Sequence, residues 1–569
     1  MTRHSLLTAA FLCGICAASC TARGSAAILP RHDTAESISF ARSAAINLTD
    51  LQSAVAQPQE EGISVTSDGA GLIRISTSGT KEPLLLAISG SLTGTLEITT
   101  RKDADLALEL NDVTITSGSA PAITVEKAAR TFIVLNGEST LSDGRVYGTD
   151  YSKTGSRAKA TLYSKGALLI SGGGSLTINE GYKHGIYSGD YIHVSGGSIT
   201  VNNGGQTCIR SANGFSMSSG ALTLSGTAGH AEHPNDNSRG IVVEGKEGAG
   251  GAGKGYVRIS GGTVDITCTG KAISAKWDIA EDARTPDTSD DPNPLVLIAG
   301  GTISVTTTDA VIDPERNPRK ITYKNADGKS VTETEKCIPE GIEGKNGVII
   351  SGGTLRVRAT DDAVNASRAG GGLIHISGGS MYLHSSSADA LDSNGDILIS
   401  GGTIVAVAPT GSEDCFDCDG TLTFTGGHAA GVSGSPRIYA TNQNKASTQK
   451  ALVLGAQCAG TSGTVVLRDS EGTAALAFTI PQEISRYGSV TLSAPSLRAG
   501  TYTLLRNCTV SGGAEFHGLY TEMPDVHGGT QSGTVQVTPG ENVYLLGAQE
   551  GFGPPPQRFG PPPPFHAPR

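Results

Sequence analysis

The sequence predicts an all-β fold, namely a parallel β-helix (a solenoid of stacked coils) followed by a smaller C-terminal β region. A Ser-Gly-Gly phrase, or a close variant, recurs with a period of 23–26 residues where it is most regular, as from 171 to 195 and from 377 to 400. Each phrase precedes a short segment with apolar residues at alternate positions, which indicates a strand with one buried face. Strands this short cannot fold alone, so the period indicates coils that stack on one another. The phrases begin at Ser171, Ser195, Ser260, Ala299, Ser351, Ser377, Ser400 and Thr425.

The composition agrees with this fold class. Gly accounts for 77 of the 569 residues, charged residues for 17%, and no long segment is dominated by helix formers, which argues against a helical bundle or a coiled coil. Apolar residues are plentiful and the net charge of -11 is modest for this length, which argues against disorder. The acidic balance disfavours nucleic acid as a partner, because phosphate binding needs a basic face. The acidic balance suits divalent cations better than nucleic acid as partners.

The N-terminus is predicted to be an export signal over residues 1–27. Its apolar run, 6–18, is too short to span a membrane. Cys20 follows Ala-Ala-Ser, which is similar to a bacterial lipoprotein box, so a lipid anchor on Cys20 and ordinary cleavage near 25–27 are both open. The protein is therefore expected to be secreted or attached to a bacterial cell surface, with membrane contact only through that anchor.

The rest of the chain divides into four predicted parts. Residues 28–84 are expected to be a linker with the first strands, and residues 85–435 the β-helix, in which the Gly pairs supply turns with positive φ. Loops rich in Gly, Pro, Asp and Asn, such as 313–336, are expected to leave the coil. Residues 436–547 are expected to form an all-β cap with strands near 465–467, 475–478 and 502–505. Residues 548–569 are a Pro-rich tail, expected to be extended.

A second repeated phrase, four residues long, lies on another corner of the predicted coil. Its third position is apolar and is expected to point inward, and its first and fourth positions are mostly polar. The phrases begin at His184, Thr207, Arg239, Lys271, Glu340, Asp362, Asp389 and Asp414. The early coils carry the basic group His184, Arg210, Arg239 and Lys271, and the late coils are acidic.

The acidic coils predict a calcium site. Coils stacked about 4.8 Å apart would bring carboxylates together, and these repel one another unless a cation neutralises them. Ca²⁺ prefers carboxylate, amide and carbonyl oxygens, which are the groups present. The alternative is a solvated acidic edge that discourages aggregation. The candidate ligands are Glu340, Glu343, Asp361, Asp362, Asn365, Asp389, Asp392, Asn394, Glu413, Asp414, Asp417 and Asp419.

The acidic phrases at 361–367, 389–395 and 416–419, with the closing phrases at 496–504 and 518–521, resemble a bacterial family of calcium-binding, polysaccharide-lyase-like carbohydrate-binding domains. The resemblance covers about residues 85–547. It implies a right-handed parallel β-helix and calcium-dependent binding of acidic or cellulosic plant polysaccharide, without established cleavage. The chain departs from the family pattern at Cys415, where a small residue is usual, and in its long inserts.

Tyrosines cluster in the early coils. Exposed rings of this kind stack on the apolar faces of sugars, and the alternative is that they pack within strands. The candidates for carbohydrate binding are Tyr147, Tyr151, Tyr182, Tyr187 and Tyr191, and Tyr163 belongs to the same group.

Two other functions remain open from the sequence. In a calcium-dependent polysaccharide lyase a Lys or Arg base would act beside the metal, and Lys271, Arg210 and Lys345 are the basic residues nearest the acidic coils. In a structural adhesin the β-helix would be a spacer. Cys415 and Cys418 form a CxxC pair, but no second pair follows the signal region and no βαβ context surrounds it, which disfavours zinc or redox chemistry.

Overall fold

The structure is a computed structural model. It describes residues 38–40, 42–51, 62–77, 79, 81–145, 147, 158–203, 205–226, 237–246, 254–278, 294–314, 318–324, 329–369, 371–435, 437–438 and 446–550. The predicted signal 1–27 with Cys20, and the tail after 550, lie outside these residues.

The described residues form 47 strands and two short helices, α1 (Leu48–Leu51) and α2 (Ala456–Ala459), so the all-β prediction is confirmed. None of these helices is long and apolar enough to cross a membrane. Strands β1 to β9 are Arg42–Asn47, Ile63–Ser67, Leu72–Thr77, Leu84–Thr93, Thr95–Thr99, Asp105–Thr116, Ile123–Lys127, Arg130–Asn136 and Glu138–Ser142. Strands β10 to β18 are Ala160–Ser164, Ala167–Gly172, Ser175–Glu180, His184–Ser188, Tyr191–Val194, Ser198–Asn203, Thr207–Ser211, Gly214–Met217 and Ala221–Gly226.

The remaining strands continue in chain order. Strands β19 to β30 are Arg239–Lys246, Tyr256–Ile259, Thr263–Cys268, Ile273–Asp278, Leu295–Ile298, Thr302–Thr307, Lys320–Lys324, Ser330–Thr334, Ile342–Gly344, Gly347–Ile350, Thr354–Ala359 and Val364–Ala366. Strands β31 to β36 are Leu373–Ser385, Leu391–Ser393, Asp396–Ala408, Asp417–Cys418, Leu422–Ser433 and Arg437–Ile438. Strands β37 to β47 are Ala451–Gly455, Gly463–Arg468, Ala474–Ile480, Ser489–Ser493, Gly500–Ser511, Ala514–Phe516, Leu519–Glu522, Asp525–His527, Thr530–Val537, Val543–Leu546 and Gln549–Glu550.

A sheet of 13 strands contains the second repeated phrase. Its members are β2, β3, β5, β7, β10, β13, β16, β19, β22, β27, β30, β32 and β34. Each strand from β3 onward pairs in parallel with the strand one repeat later, as β13 with β16 and β30 with β32, and only β2 pairs in antiparallel fashion. Equivalent residues of successive repeats therefore lie side by side.

A sheet of 23 strands contains the Ser-Gly-Gly phrases. It includes two parallel runs, one through β11, β14, β17 and β20 and the other through β12, β15, β18 and β21. The long strands β6, β31, β33 and β35 take part in both runs. The pairing becomes antiparallel where β40 joins β35 and β37, so this sheet is mixed.

One continuous apolar core fills the space between these sheets. It extends from Ile46 to Ala451 and contains the alternating residues of nearly every repeat, such as Leu176, Ile178 and Ile342, all fully buried. Strands β1 to β3, which precede residue 84, belong to the same two sheets. The segment 313–336 contains the hairpin β25–β26.

The C-terminal part forms a second core. Strands β38, β39 and β41 cover the segments predicted from the sequence and lie in a separate seven-stranded sheet. Their core includes Phe478 together with Tyr382 and Val405 from the long strands β31 and β33. The Tyr382 hydroxyl also donates a hydrogen bond to Glu483 Oε1 at 2.9 Å. The C-terminal part therefore shares buried surface with the repeat region.

The Ser-Gly-Gly phrases stack in a column, as predicted from their spacing. A side chain at Gly378 would meet the Ser351 carbonyl oxygen at 2.4 Å, and one at Gly401 would meet that of Ser377 at 2.2 Å. The second Gly of the phrase has a positive φ, for example +86° at Gly402. Both the turn and the close approach of neighbouring repeats therefore require glycine.

We expect Gly402→Ala to lower the free energy of unfolding by about 2–3 kcal/mol, because strain at positive φ adds to contacts at 3.0 Å with two carbonyl oxygens of the preceding repeat. Gly69→Ala is the matched control, since Gly69 has φ of +69° but nothing within 4 Å. It should cost only about 1 kcal/mol. Chemical denaturation measures both, and equal losses would contradict the role assigned to stacking.

Candidate metal and carbohydrate site

The candidate site lies on the outward face of the 13-stranded sheet, which we call the ladder face. The third residue of each phrase lies in the core, as Ile342, Val364 and Leu391 do. The fourth residues form one row in register, and the first residues form a second row beside it. The fourth-residue row, from the basic to the acidic end, is Tyr163, Tyr187, Arg210, Val242, Ser274, Glu343, Asn365, Asp392 and Asp417.

Lys271 marks the beginning of the acidic part of the ladder face. Its Nζ lies 2.8 Å from Glu340 Oε2 and 2.8 Å from Glu343 Oε2. The two carboxylate side chains are 6% and 7% exposed, and the lysine side chain is 22% exposed. Glu340 and Glu343, predicted as calcium ligands, are therefore paired with a cation of the protein itself.

The two glutamates differ in their environments. Burial raises the pKa of Glu340 above its usual value, and the Glu343 carboxylate adds to this rise, although the Lys271 ammonium opposes it. Burial also acts on Glu343, but the Lys271 ammonium and hydrogen bonds from the Ser274 and Ser367 hydroxyls, both 2.9 Å, outweigh it and lower the pKa to about 2. Burial lowers the pKa of Lys271, but the two glutamates raise it above its ordinary value. Lys271 therefore forms an ion pair with both carboxylates, and Glu343, which also accepts two hydroxyl hydrogen bonds, is the one held more strongly in its charged form.

Asn365 connects this ion pair to the next carboxylates. Its Nδ2 donates to Glu340 Oε1 at 3.3 Å and to Asp362 Oδ2 at 2.9 Å. Its Oδ1 is buried and has no hydrogen-bond partner within the described part of the chain. A buried amide oxygen without a donor suits a ligand of a cation.

Asp362, Asp389 and Asp392, which we call the acidic cluster, converge from two neighbouring repeats: Asp362 belongs to one phrase, and Asp389 and Asp392 belong to the next. Each offers a carboxylate oxygen, and the three oxygens lie within 4.8 Å of one another. Asp362 and Asp389 are each 8% exposed, and the Asp389 backbone N–H donates to Asp362 Oδ1 at 3.0 Å. Burial, followed by the Asp392 carboxylate, raises the pKa of Asp362 well above its usual value. Burial and the Asp417 carboxylate do the same for Asp389.

Two further aspartates extend the acidic cluster by one repeat. The Asp414 backbone N–H donates to Asp389 Oδ1 at 2.6 Å, and Asp417 pairs in register with Asp392. Burial and the Asp417 carboxylate raise the pKa of Asp414 to about 8. The repulsion predicted from the sequence is therefore present on three consecutive repeats.

The other four predicted ligands lie around the acidic cluster. Asp361 and Glu413 are half-buried, Asn394 donates to the Ser367 carbonyl oxygen at 3.5 Å, and Asp419 is exposed. Among the described residues, the group of converging oxygens includes none of these four.

The donors in the acidic cluster fit a hard divalent cation. All are oxygens, three from carboxylates, and Asn365 adds an amide oxygen beside them. Such oxygen donors suit Ca²⁺, whereas zinc prefers nitrogen and sulfur. Asp362, Asp389, Asp392 and Asn365 are the residues that would hold the ion.

The predicted tyrosine group separates into three parts. Tyr147 stacks on Tyr182 with ring centroids 4.3 Å apart, and Tyr163 stacks on Tyr187 at 5.3 Å on the ladder face. Tyr191 lies on β14, in the other large sheet, and packs beside a small apolar cluster. Tyr151 lies outside the described residues. In each stacked pair, the two rings cover part of each other's face, and this is the surface that the prediction assigned to sugar binding.

The basic residues considered for lyase chemistry have other partners. Lys271 is held in its charged form by two glutamates, which does not suit a base. Arg210 Nη2 lies 3.1 Å from Glu244 Oε2. The sequence analysis did not predict the pairing of Lys271 with the glutamates. Aligning the phrase at 271–274 with the phrase at 340–343 would have placed Lys271 directly beside Glu340.

The cysteines of the CxxC pair are free thiols. Cys415 is buried, and its thiol accepts a hydrogen bond from the Ser433 hydroxyl at 3.2 Å. Burial raises the pKa of both thiols to about 12, which keeps them protonated.

Comparisons with known proteins give a family. No curated protein matches the chain. One solved structure, titled "Structure of the polysaccharide lyase-like protein from C. thermocellum, Gadolinium derivative", is similar at 22% identity and a TM-score of 0.34, over 46% of this chain and 92% of that one. A family model described as "Carbohydrate-binding domain-containing protein" matches residues 70–390, which is more than half of the chain and includes the acidic cluster up to Asp389. The chain belongs to this family of carbohydrate-binding domain-containing proteins.

Proposed function

We propose that this protein binds acidic polysaccharide through calcium ions held on the ladder face. The observation that carries the proposal is the convergence of three carboxylate oxygens within 4.8 Å at largely buried positions. Carboxylates this close repel one another unless a cation or a proton neutralises them. The family membership supports a carbohydrate as the partner.

Calcium would have two roles at the acidic cluster. It would join two neighbouring repeats, because Asp362 comes from one phrase and Asp389 and Asp392 come from the next. It would also present open coordination positions to the carboxylate of a uronate residue, since the four residues that would hold the ion leave some of its six to eight positions to other ligands. The ion would then bridge two anions that otherwise repel.

The stacked strands are proposed to wind as a right-handed parallel β-helix. Successive parallel pairing in the 13-stranded sheet and in both runs of the other large sheet supports this geometry. Parallel strands in one sheet are joined by right-handed crossovers in about 98% of cases. The predicted export signal over residues 1–27, with Cys20, supports secretion or attachment to the cell surface.

We expect calcium to raise the melting temperature. An ion that binds only the folded state stabilises it by about 2.7 kcal/mol at a hundredfold excess over its dissociation constant. Magnesium at the same concentration should stabilise less, because it demands a smaller octahedral site. Thermal unfolding in calcium, magnesium and chelator measures this, and identical curves would favour the solvated acidic edge instead.

Binding to immobilised polygalacturonate, with calcium and then with chelator, tests the function itself. The proposal predicts tighter binding in calcium. Stabilisation by calcium without any polysaccharide binding would instead support a structural adhesin.

A further inference from the structure

The ladder face changes its chemistry along its length. Its acidic end lies on β27, β30, β32 and β34, and the strands before them carry basic and aromatic residues at the same positions. In the row of fourth residues, Arg210 pairs in register with Tyr187 on one side and with Val242 on the other. Four strand-to-strand steps separate Arg210 from Asn365, which is about 19 Å at about 4.8 Å a step.

Several cationic side chains lie close together at the basic end. Burial, and then the charges of Arg210, Arg239, Lys183 and Lys159, lower the pKa of His184 well below its usual value. These four cations therefore lie near enough to act on one imidazole, and each contributes positive potential to this part of the ladder face.

One carboxylate is shared between two cations beside this group. Glu244 lies 3.1 Å from Arg210 Nη2 and 2.9 Å from Lys276 Nζ. The side chains of Arg210 and Lys276 keep 26% and 37% exposure, so both remain accessible from solvent. Glu244 positions the two cations but supplies only one negative charge.

The aromatic side chains beside the cations stack on one another. The Tyr187 ring stacks on Tyr163 with an interplanar angle of 3° and on His184 with an angle of 19°. His184 and Thr207 are neighbours in the row of first residues, on β13 and β16. The His184 Nδ1 atom and the Thr207 hydroxyl are buried and have no hydrogen-bond partner among the described residues. Buried polar atoms of this kind are normally satisfied by water or by a bound polar group.

We propose that the basic end of the ladder face, formed by Lys183, Arg210, Arg239 and Lys276, binds carboxylate groups of an acidic polysaccharide directly, without a metal ion. Guanidinium groups suit this ligand because their paired N–H groups match the two oxygens of a carboxylate. A uronate chain that crosses the strands would meet fixed cations at one end and calcium at the other. This inference rests on the proposed function and adds to it a second, metal-independent subsite.

The test compares Arg210→Gln/Arg239→Gln with the wild-type protein for binding to polygalacturonate in the presence of chelator. We expect the wild type to retain binding that weakens with salt, and the double variant to bind about tenfold or more weakly, as loss of charge-assisted hydrogen bonds requires. Fully methyl-esterified polygalacturonate, which keeps the sugar rings but not the charge, should bind the two proteins equally. Arg258→Gln/Arg356→Gln removes the same charge from exposed positions on the other large sheet and should leave the affinity unchanged.

Two readouts separate this inference from the proposed function. The double variant should keep the full calcium-induced rise in melting temperature, which also shows that it folds. Equal affinities of the two double variants in chelator, or no wild-type binding there, would overturn the metal-independent subsite but not the calcium site. If calcium changed neither the melting temperature nor the polygalacturonate affinity of the wild type, while binding in chelator persisted, only the proposed calcium dependence would be overturned.

Discussion

Asp389→Asn combined with Asp392→Asn is expected to weaken calcium binding by at least about a hundredfold and to remove the calcium-induced rise in melting temperature. The substitutions take two of the three charges from the acidic cluster, and the charge of the ligand set tunes calcium affinity over several orders of magnitude. Asparagine keeps an oxygen that can accept the 2.6 Å hydrogen bond from the Asp414 N–H. Alanine at these positions should act in the same direction but would also remove that hydrogen bond.

In chelator the double variant should be at least as stable as the wild type, because neutral amides do not repel one another in a buried site. Loss of calcium affinity without loss of stability distinguishes a metal site from a structural hydrogen-bond network. Polygalacturonate binding in calcium should weaken together with calcium affinity. Calorimetric titration with calcium, followed by binding to the polymer, measures both.

Asp265→Asn is the matched control for this experiment. Asp265 is exposed on β21, in the other large sheet, and the change removes the same kind of charge. It should alter neither calcium nor polysaccharide binding. Wild-type calcium affinity in the cluster variant would refute the assignment, and intact polysaccharide binding without calcium affinity would place the sugar site at the basic end.

The repeat period was the most informative feature of the sequence. The close approach of Gly378 to Ser351, and of Gly401 to Ser377, follows from phrases that recur once per repeat and must turn where backbones nearly touch. The register places Asp389 beside its equivalent Asp362, and it places Asp392, from the same phrase as Asp389, beside its equivalent Asn365. The spacing therefore predicted that polar residues of neighbouring phrases meet, but it did not single out these three carboxylates from the other candidate ligands.

Other features depend on contacts that a period does not encode. Tyr191 follows Tyr187 by four residues, yet the chain turns at 189–190 and places the two rings on different sheets. Tyr382 reads as an ordinary strand residue, but it is buried against the C-terminal sheet and bonded to Glu483, about a hundred residues later. The sequence also does not show that Lys271 reaches both glutamates, because the reach of a long side chain across a strand is a matter of rotamer.

Lys271→Met is expected to lower the free energy of unfolding by about 2–4 kcal/mol, even though methionine packs well. The change leaves Glu340 and Glu343, 6% and 7% exposed, without the ammonium group that lies 2.8 Å from each of them. Removing one partner of a buried ion pair typically costs about 3–5 kcal/mol, and the 22% exposure of the lysine reduces that figure here. Chemical denaturation in chelator measures the loss without interference from calcium.

Two further variants separate lost pairing from lost packing. Adding Glu340→Gln and Glu343→Gln to Lys271→Met removes the unpaired charges and should restore most of the stability, because the cost comes from buried carboxylates without a counter-charge. Lys165→Met makes the same substitution at an exposed turn between β10 and β11 and should change stability by no more than about 0.5 kcal/mol. If the triple variant were as unstable as Lys271→Met alone, the lysine would stabilise the protein through its packing. The ion pair with the two glutamates would then not be the source of its contribution to stability.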